Sequence, residues 1–205
     1  MNRMATETSK PVNADGEPVD VPRLVKKAQS GDEAAFGDLM QAYHQRVYGV
    51  LIGMVRNADD ARDLSQQAWI KVWNKLHTFK GDADFYTWLY RVTTFVGLDH
   101  IRKRNRKREV DLVEEMQPDR DADADVPPSV RSRPDRDVQA TEIRDVFDAA
   151  LATLSAEHRT TLILREVEGL SYDEIAKVMK CRRGTVMSRI FYARKSIQEK
   201  LKDLR

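Results

Sequence analysis

The residues with the clearest potential chemistry lie in the last third of the chain, on two predicted helices joined by a tight turn. Ser171 and Glu174 have the spacing of a capping box, which predicts a helix that begins at about Tyr172. A second helix is predicted from about Arg182. Phasing at about 100° per residue gives it an apolar stripe: Val186, Ile190, Ala193, Ile197 and Leu201.

The opposite side of this second helix combines small, hydroxyl, aromatic and basic side chains: Gly184, Met187, Ser188, Phe191, Tyr192 and Lys195. Such a face fits a DNA major groove, since small residues allow close approach and longer side chains reach base edges and phosphates. The pattern therefore favours a helix-turn-helix, with an ordinary helical hairpin as the alternative.

A second candidate surface is an aromatic stretch in the middle of the chain. Five of the twelve residues from Phe79 to Tyr90 are Phe, Tyr or Trp. With Lys80 and Arg91 nearby, this composition resembles a surface that stacks unpaired bases and holds their backbone with cations. The residues alone favour the simpler alternative, an aromatic core with basic side chains facing solvent.

The charged residues are segregated, although the net charge is only +2. Six of the seven residues in Arg102–Arg108 are basic, whereas Asp111–Asp125 holds seven acidic residues and one arginine. This asymmetry suggests a nucleic-acid-binding surface beside an acidic segment. The alternative is that both runs are solvated surface.

Several classes of chemistry find no support in the sequence. The single cysteine, Cys181, excludes a disulfide framework within the chain and a Cys-rich zinc site. The four histidines are scattered, no apolar run approaches the roughly 20 residues of a membrane span, and the N-terminus lacks an apolar signal core. We therefore expect a cytoplasmic protein without membrane insertion, cofactor, metal site or catalytic residues.

Helical periodicity runs through two modules that would position these surfaces. Residues 1–20 are predicted to be a disordered tail, 21–108 a first helical module, 109–138 a flexible acidic linker and 139–205 a second module. In the first module, a helix from about Asp60 to Lys75 has these apolar positions: Ala61, Leu64, Ala68, Ile70, Val72 and Trp73. With no convincing strands, the fold class is all-α, as two small helical bundles on a tether.

Three stretches in fixed order resemble the extracytoplasmic-function (ECF) sigma factors of bacterial RNA polymerase, group IV of the sigma-70 family, and the sigma-E-like branch best. They are Gly31–Phe36, then Asp60–Gln67 with Phe79–Arg91, and last Gly169–Ala176 with Gly184–Ile190. The resemblance covers about residues 21–203. The combination is more specific than any one motif, and it favours the nucleic-acid interpretation of the aromatic stretch.

The resemblance implies that the modules are sigma regions 2 and 4 of a factor that directs promoter-specific transcription initiation. Region 2 would dock on the clamp helices of core RNA polymerase through Asp60, Asp63, Gln66 and Gln67. It would open and hold the −10 promoter element through Phe79, Lys80, Tyr86, Arg91, Arg102 and Arg104. Region 4 would read the −35 element through Arg183, Thr185, Met187, Ser188, Phe191, Tyr192 and Lys195. The implied partners are core RNA polymerase, promoter DNA and an anti-sigma factor.

The sequence departs from the family pattern at four of these surface positions. Members usually carry Asn where this chain has Phe95. A phenyl ring cannot make a polar contact to a base, so a stacking role or a core role is expected at this position. Gln67 replaces the usual acidic residue in the clamp-binding helix. Met187 and Tyr192 stand where relatives often carry basic residues, so guanine reading by arginine is absent at those two places.

Two other functions remain open from the residues. An autonomous helix-turn-helix regulator would bind duplex DNA without polymerase, but it would not need the first module. A protein-interaction adaptor would use the basic and acidic segments for protein partners, and it predicts no salt-dependent DNA binding.

Overall fold

The computed structural model of the chain describes Pro11 and residues 18–115 and 149–202, without the side chains of residues 109–115 and 201. The predicted all-α fold class is confirmed, since the regular structure in these ranges is helical and includes no β-strand. None of the described helices is long and apolar enough to cross a membrane. The predicted tail and linker lie mostly outside the described residues.

The first module contains four α-helices and one short 3₁₀ helix. They are α1 (Val21–Gln29), α2 (Glu33–Val55), α3 (Ala58–Lys75), the 3₁₀ helix (Leu76–Thr78) and α4 (Phe85–Glu115). The side chains of Asp20, Asp32 and Asn57 accept hydrogen bonds from the first free backbone N–H groups of α1, α2 and α3. These caps fix where each helix begins.

Helix α2 is the centre of the first module, because it packs against α1, α3 and α4. Leu39, Val47 and Leu51 on α2 and Leu89 on α4 are fully buried. The predicted apolar side of α3 is confirmed at Ala61, Leu64, Ala68 and Val72 but wrong at Ile70 and Trp73, which are 61% and 36% exposed.

Helix α4 continues past Arg108, where the linker was expected to begin, to Glu115. Residues 109–115 contain neither glycine nor proline, and the first proline after Arg108 is Pro118. Because Glu, Leu and Val do not interrupt a helix that is already formed, the helix propagates through this segment.

The second module begins, among the described residues, with a helical segment at 149–152. It continues with α5 (Ala156–Glu166), α6 (Tyr172–Met179) and α7 (Arg183–Lys202). The predicted capping box is confirmed, since Ser171 Oγ accepts from Glu174 N and Glu174 Oε2 accepts from Ser171 N. Lys180 ends α6 in the left-handed conformation and turns the chain into α7.

The two modules share one continuous hydrophobic core. Ile163, Leu170 and Ile175 of the second module belong to the same buried cluster as the core of the first. The approach is close at Gly53 of α2, where an added Cβ would lie 2.8 Å from Ile163 Cδ1. The sequence predicts two bundles, and the structure adds that they pack against each other.

Candidate nucleic-acid and polymerase interfaces

A groove of about 790 Å³ runs along α4 and the loop that precedes it. Aromatic side chains in its lining are Phe79, Trp88 and Phe95, and basic ones are Lys71, Lys75, Lys80, Arg91, Arg102, Lys177 and Lys180. Among the lining residues that the structure describes, Asp82 is the single carboxylate. We call this surface the basic groove; its composition suits a polyanion that also presents flat apolar rings.

The aromatic floor of the basic groove is anchored in the core of the first module. Phe79 packs edge-on against Phe85, with ring centroids 5.8 Å apart, and lies 5.5 Å from Trp88. The Gln29 side chain donates hydrogen bonds to Leu76 O (3.0 Å) and Phe79 O (2.8 Å), so α1 fixes the loop. The aromatic stretch is therefore divided, since Phe85 belongs to the core whereas the half-buried Phe79 reaches the groove.

Two tyrosines of α4 are hydrogen-bonded to carboxylates of the second module. Tyr86 Oη donates to Glu174 Oε1, and Tyr90 Oη donates to Glu168 Oε2. Burial and then the neighbouring carboxylates raise the pKa of both phenols above its usual range, so both stay protonated donors. The predicted −10 residue Tyr86 thus faces the second module rather than open solvent.

Arg159 in the first turn of α5 joins the modules through backbone carbonyls. It donates to Leu151 O (2.9 Å), Leu154 O (3.0 Å) and, across the module boundary, Met54 O (2.8 Å). Burial, with smaller contributions from nearby arginines, lowers the pKa of its guanidinium. A weaker contact is the ion pair between Arg102 and Glu157 at 3.6 Å, which is largely solvent-exposed.

Other predicted −10 residues have different surroundings. Lys80 and Arg91 are exposed in the lining of the basic groove. Arg104 NH1 lies 3.6 Å from Asp60 Oδ2, and His100 Nε2 lies 3.5 Å from the same oxygen without forming a hydrogen bond. Asp60, predicted to bind polymerase, is therefore half-buried between α3 and α4, and it tethers the two helices.

The outer face of α3 is exposed and mixes polar and apolar side chains. Three of the four residues predicted to bind polymerase are exposed on this face: Asp63, Gln66 and Gln67. Beside them lies an apolar depression whose lining includes Phe36, Met40, Trp69, Ile70 and Trp73. Sequence reasoning missed this depression, although a signal was present. Phasing at about 100° per residue puts Ile70 on the side of α3 opposite to Ala61 and Val72.

The phasing of α7 is confirmed. Val186, Ile190, Ala193 and Ile197 are buried, and Leu201 lies outside the described side chains. The predicted DNA-facing positions are exposed, except that Thr185 is half-buried: Arg183, Met187, Ser188, Phe191, Tyr192 and Lys195.

The exposed face of α7 is partly ordered by its own contacts. The rings of Phe191 and Tyr192 meet edge to face with centroids 5.5 Å apart. Ser188 Oγ donates to Thr185 O (3.0 Å), which leaves its lone pairs available to accept from a ligand. Glu166 of α5 accepts a hydrogen bond from Arg194 Nε at 3.2 Å, which ties α7 to α5.

Comparison with known proteins identifies the two modules. Residues 39–107 match the family model for sigma-70 region 2, and residues 144–197 match the one for sigma-70 region 4. The chain is 36% identical over 190 residues to the RNA polymerase sigma-H factor of Pseudomonas aeruginosa, a match that covers 89% of this chain and 94% of that protein. This chain belongs to the ECF sigma factors.

Two further comparisons agree with this assignment. The ECF RNA polymerase sigma-E factor of Escherichia coli K12 is 33% identical over 181 residues, or 88% of this chain and 94% of that factor. Among solved structures, the sigma factor RpoE of Bartonella quintana, in complex with the anti-sigma factor NepR, is 27% identical. That structure aligns with a TM-score of 0.59 and covers 83% of this chain and 98% of its own. We therefore call the matched parts region 2 and region 4.

Proposed function

We propose that this ECF sigma factor binds core RNA polymerase and directs it to promoters that region 2 opens and region 4 reads. The observation that carries the proposal is the pairing, in one sigma-family chain, of the basic groove in region 2 with the exposed face of α7 in region 4. In this proposal residues 21–108 with the rest of α4 to Glu115 act as the −10 module, the residues after Glu115 up to 138 as the linker and 139–205 as the −35 module. RNA synthesis itself belongs to the polymerase.

The basic groove is suited to holding an opened −10 strand. Opening DNA costs about 1.4 kcal/mol of stacking per base-pair step, whereas stacking of a base on an aromatic side chain contributes about 1–3 kcal/mol. Phe79 supplies a ring that is held in place from below by Phe85. Lys80 and Arg91 add attraction to phosphates that weakens with salt. Because no single contribution offsets melting of several steps, opening depends on the bound polymerase.

The outer face of α7 is suited to the major groove of the −35 element. Ser188 can accept or donate at a base edge, while Phe191 and Met187 can contact thymine methyl groups. Arg183 and Lys195 stand at the two ends of this face, where they can bind phosphates. Both cations have weak intramolecular partners, Asp173 at 3.6 Å and Glu199 at 3.8 Å, that DNA can replace.

The outer face of α3 is proposed to dock on the polymerase. Asp63, Gln66 and Gln67 provide polar contacts there, and the neighbouring apolar depression around Ile70 and Trp73 provides area to bury. An exposed isoleucine beside an aromatic depression is typical of a protein interface. Asp60 acts indirectly, by holding α3 against α4.

The two regions must separate before both promoter elements are bound. About 25 base pairs lie between positions −35 and −10, which is about 85 Å of B-form DNA. A compact chain of 205 residues has a radius of gyration of about 17 Å. We therefore assign the packed arrangement, in which Tyr86 is bonded to Glu174, to the factor when it is not on a promoter.

A protein inhibitor is a further proposed partner. The similar structure from Bartonella quintana is a complex with an anti-sigma factor, and we propose that this chain also binds an anti-sigma factor. Since its other proposed partners are polymerase and chromosomal DNA, the proposed location is the cytoplasm.

Run-off transcription with core RNA polymerase tests the proposed function. We expect promoter-dependent transcripts that require the added factor and that weaken with increasing salt. If the protein bound promoter DNA tightly alone and added no initiation, it would be an autonomous regulator. If no assembly showed salt-dependent DNA binding, it would be an adaptor.

A further inference from the structure

Phe95 is an exposed aromatic residue in the wall of the basic groove. Its side chain is 57% exposed, although the rest of its turn of α4 contributes to the core through Thr94 and Val96. Phe95 lines the same groove as Phe79 and Arg91. A core role, one of the two that the sequence left open, is therefore wrong, and a role at the surface remains.

A cation from the neighbouring helix covers the Phe95 ring. Lys71 Nζ of α3 lies 5.5 Å from the ring centroid, within the range of a cation–π contact. This contact restrains the ring in an exposed position. Because Nζ lies over one face of the ring, a base can stack on that face only after Lys71 moves aside, and the phosphate of the same nucleotide then provides a partner for its charge.

The surroundings decide which kind of ligand fits the ring. Seven cations and one carboxylate line the basic groove, so an acidic or phosphate-bearing ligand is favoured over an apolar protein segment. Of such ligands, single-stranded nucleic acid is the one that combines a flat ring with a phosphate at each repeat.

We propose that Phe95 stacks one unpaired base of the opened −10 strand while Lys71 binds an adjacent phosphate. This inference rests on the proposed function and adds the way in which one promoter position is read. A phenyl ring has no hydrogen-bond donor or acceptor, and every base has a π-face. This position of the −10 element is therefore read by stacking, and it tolerates all four bases.

The test uses holoenzyme and −10 DNA opened in advance by mismatches, with the dissociation constant measured by fluorescence anisotropy at fixed salt. A single abasic site is moved through the unpaired strand one position at a time. We expect Phe95→Ala to weaken binding by about 5- to 150-fold, the equivalent of one stacked base. One abasic position should weaken wild-type binding by the same factor and Phe95→Ala binding no further.

Matched variants separate stacking from general damage. Phe95→Tyr keeps the ring and should retain wild-type affinity, and Val167→Ala removes an equally exposed apolar side chain of region 4 and should do the same. Phe95→Asn should introduce a preference among the four bases at the position identified by the abasic scan. Lys71→Gln should reduce the magnitude of the logarithmic salt dependence by about one charge.

Three results would overturn the inference. They are an unchanged affinity for Phe95→Ala, an equal further loss at every abasic position in that variant, or a strong base preference of the wild type at the coupled position. Run-off transcription by wild-type protein is measured in parallel. If transcripts form but the abasic scan shows no coupling to Phe95, the stacking inference fails and the proposed function stands. If no transcripts form, the proposed function itself fails.

Discussion

The two candidate DNA-binding surfaces differ in how far the packing of region 4 against region 2 limits access to them. The outer face of α7 is built by one helix, and Met187, Phe191 and Tyr192 are all at least half exposed. The basic groove is built by both regions, because Lys177 and Lys180 at the end of α6 stand opposite residues of region 2. The contact between regions therefore restricts access to the basic groove but leaves the outer face of α7 open.

Glu174 has a central part in this difference, because it has two partners at once. It completes the capping box of α6 with Ser171, and its other oxygen accepts from Tyr86 of region 2. Burial raises the pKa of this carboxyl, but hydrogen bonds from Ser171 and Tyr86 outweigh burial and lower it overall. One residue thus couples the start of the helix-turn-helix to the surface proposed for DNA opening.

The largest expected effect is on the groove side of the comparison, at Phe79. Phe79→Ala removes the ring that is proposed to stack an unpaired base and that Phe85 and Trp88 hold in place. The rate of open-complex formation should therefore fall by about 5- to 150-fold, the equivalent of one stacked base. Polymerase binding, measured by co-elution, should change much less. Equal losses in both measurements would mean that Phe79 only supports the core.

An intermediate effect is expected on the open face of α7. Ser188→Ala and Phe191→Ala should each change discrimination among −35 sequences by about tenfold, because each loses contacts to a base edge. Selection from a randomised −35 library measures this, and core association serves as the control. Unaltered promoter choice in both variants would contradict the proposed DNA-reading face.

A smaller effect is expected where the regions meet. Tyr86→Phe removes the hydrogen bond to Glu174, worth about 1 kcal/mol net, and should increase the affinity of the free factor for single-stranded −10 DNA about fivefold. Duplex −35 affinity should not change. Tyr48→Phe, at a half-buried tyrosine of α2, is the control. A decrease in single-strand affinity would show that the hydroxyl binds DNA rather than region 4.

The smallest expected effect is a pH dependence at Glu168. Burial raises the pKa of this carboxyl, against opposing contributions from Tyr90 and Arg46. A raised pKa in the folded state means that the folded chain holds the proton more tightly. Stability from this group is therefore present below its usual pKa, about 4.3, and is lost as pH rises through the raised value. Urea unfolding of wild type and Glu168→Gln across pH 4–8 should show a shallower decline in the variant.

Local features of this fold were predictable from sequence, because their causes lie within a few residues. The capping box at Ser171 and the phase of α7 depend on spacings of three and four residues, and both are confirmed. The packing of the regions was not predictable, since it depends on contacts such as Arg159 to Met54 O, 105 residues apart. The exposure of Ile70 was also within reach of the sequence, because phasing at about 100° per residue puts this residue opposite the buried Ala61 and Val72 of α3.

The residues of the proposed binding sites also differ in how far the sequence alone predicts their surroundings. The family resemblance placed Asp60 and Asp63 together in the set that was expected to bind polymerase. Only the three-dimensional neighbours separate them, because Asp60 meets Arg104 and His100 of α4 whereas Asp63 is exposed. Likewise, the sequence shows that Phe95 stands where relatives usually carry Asn. It does not show that the Phe95 ring is exposed or that the ring contacts Lys71.

The hydrogen bonds of Arg159 determine which substitutions around it the chain can tolerate. All its acceptors are main-chain carbonyls, which every residue type supplies, so substitution of the side chains at Met54 or Leu151 leaves the bonds available. This one contact between the regions, unlike the side-chain bonds of Tyr86 and Tyr90, is therefore insulated against drift in the residues that accept it. For the same reason, a suppressor screen on Arg159→Leu should return no compensating change at Met54, and revertants should restore an arginine.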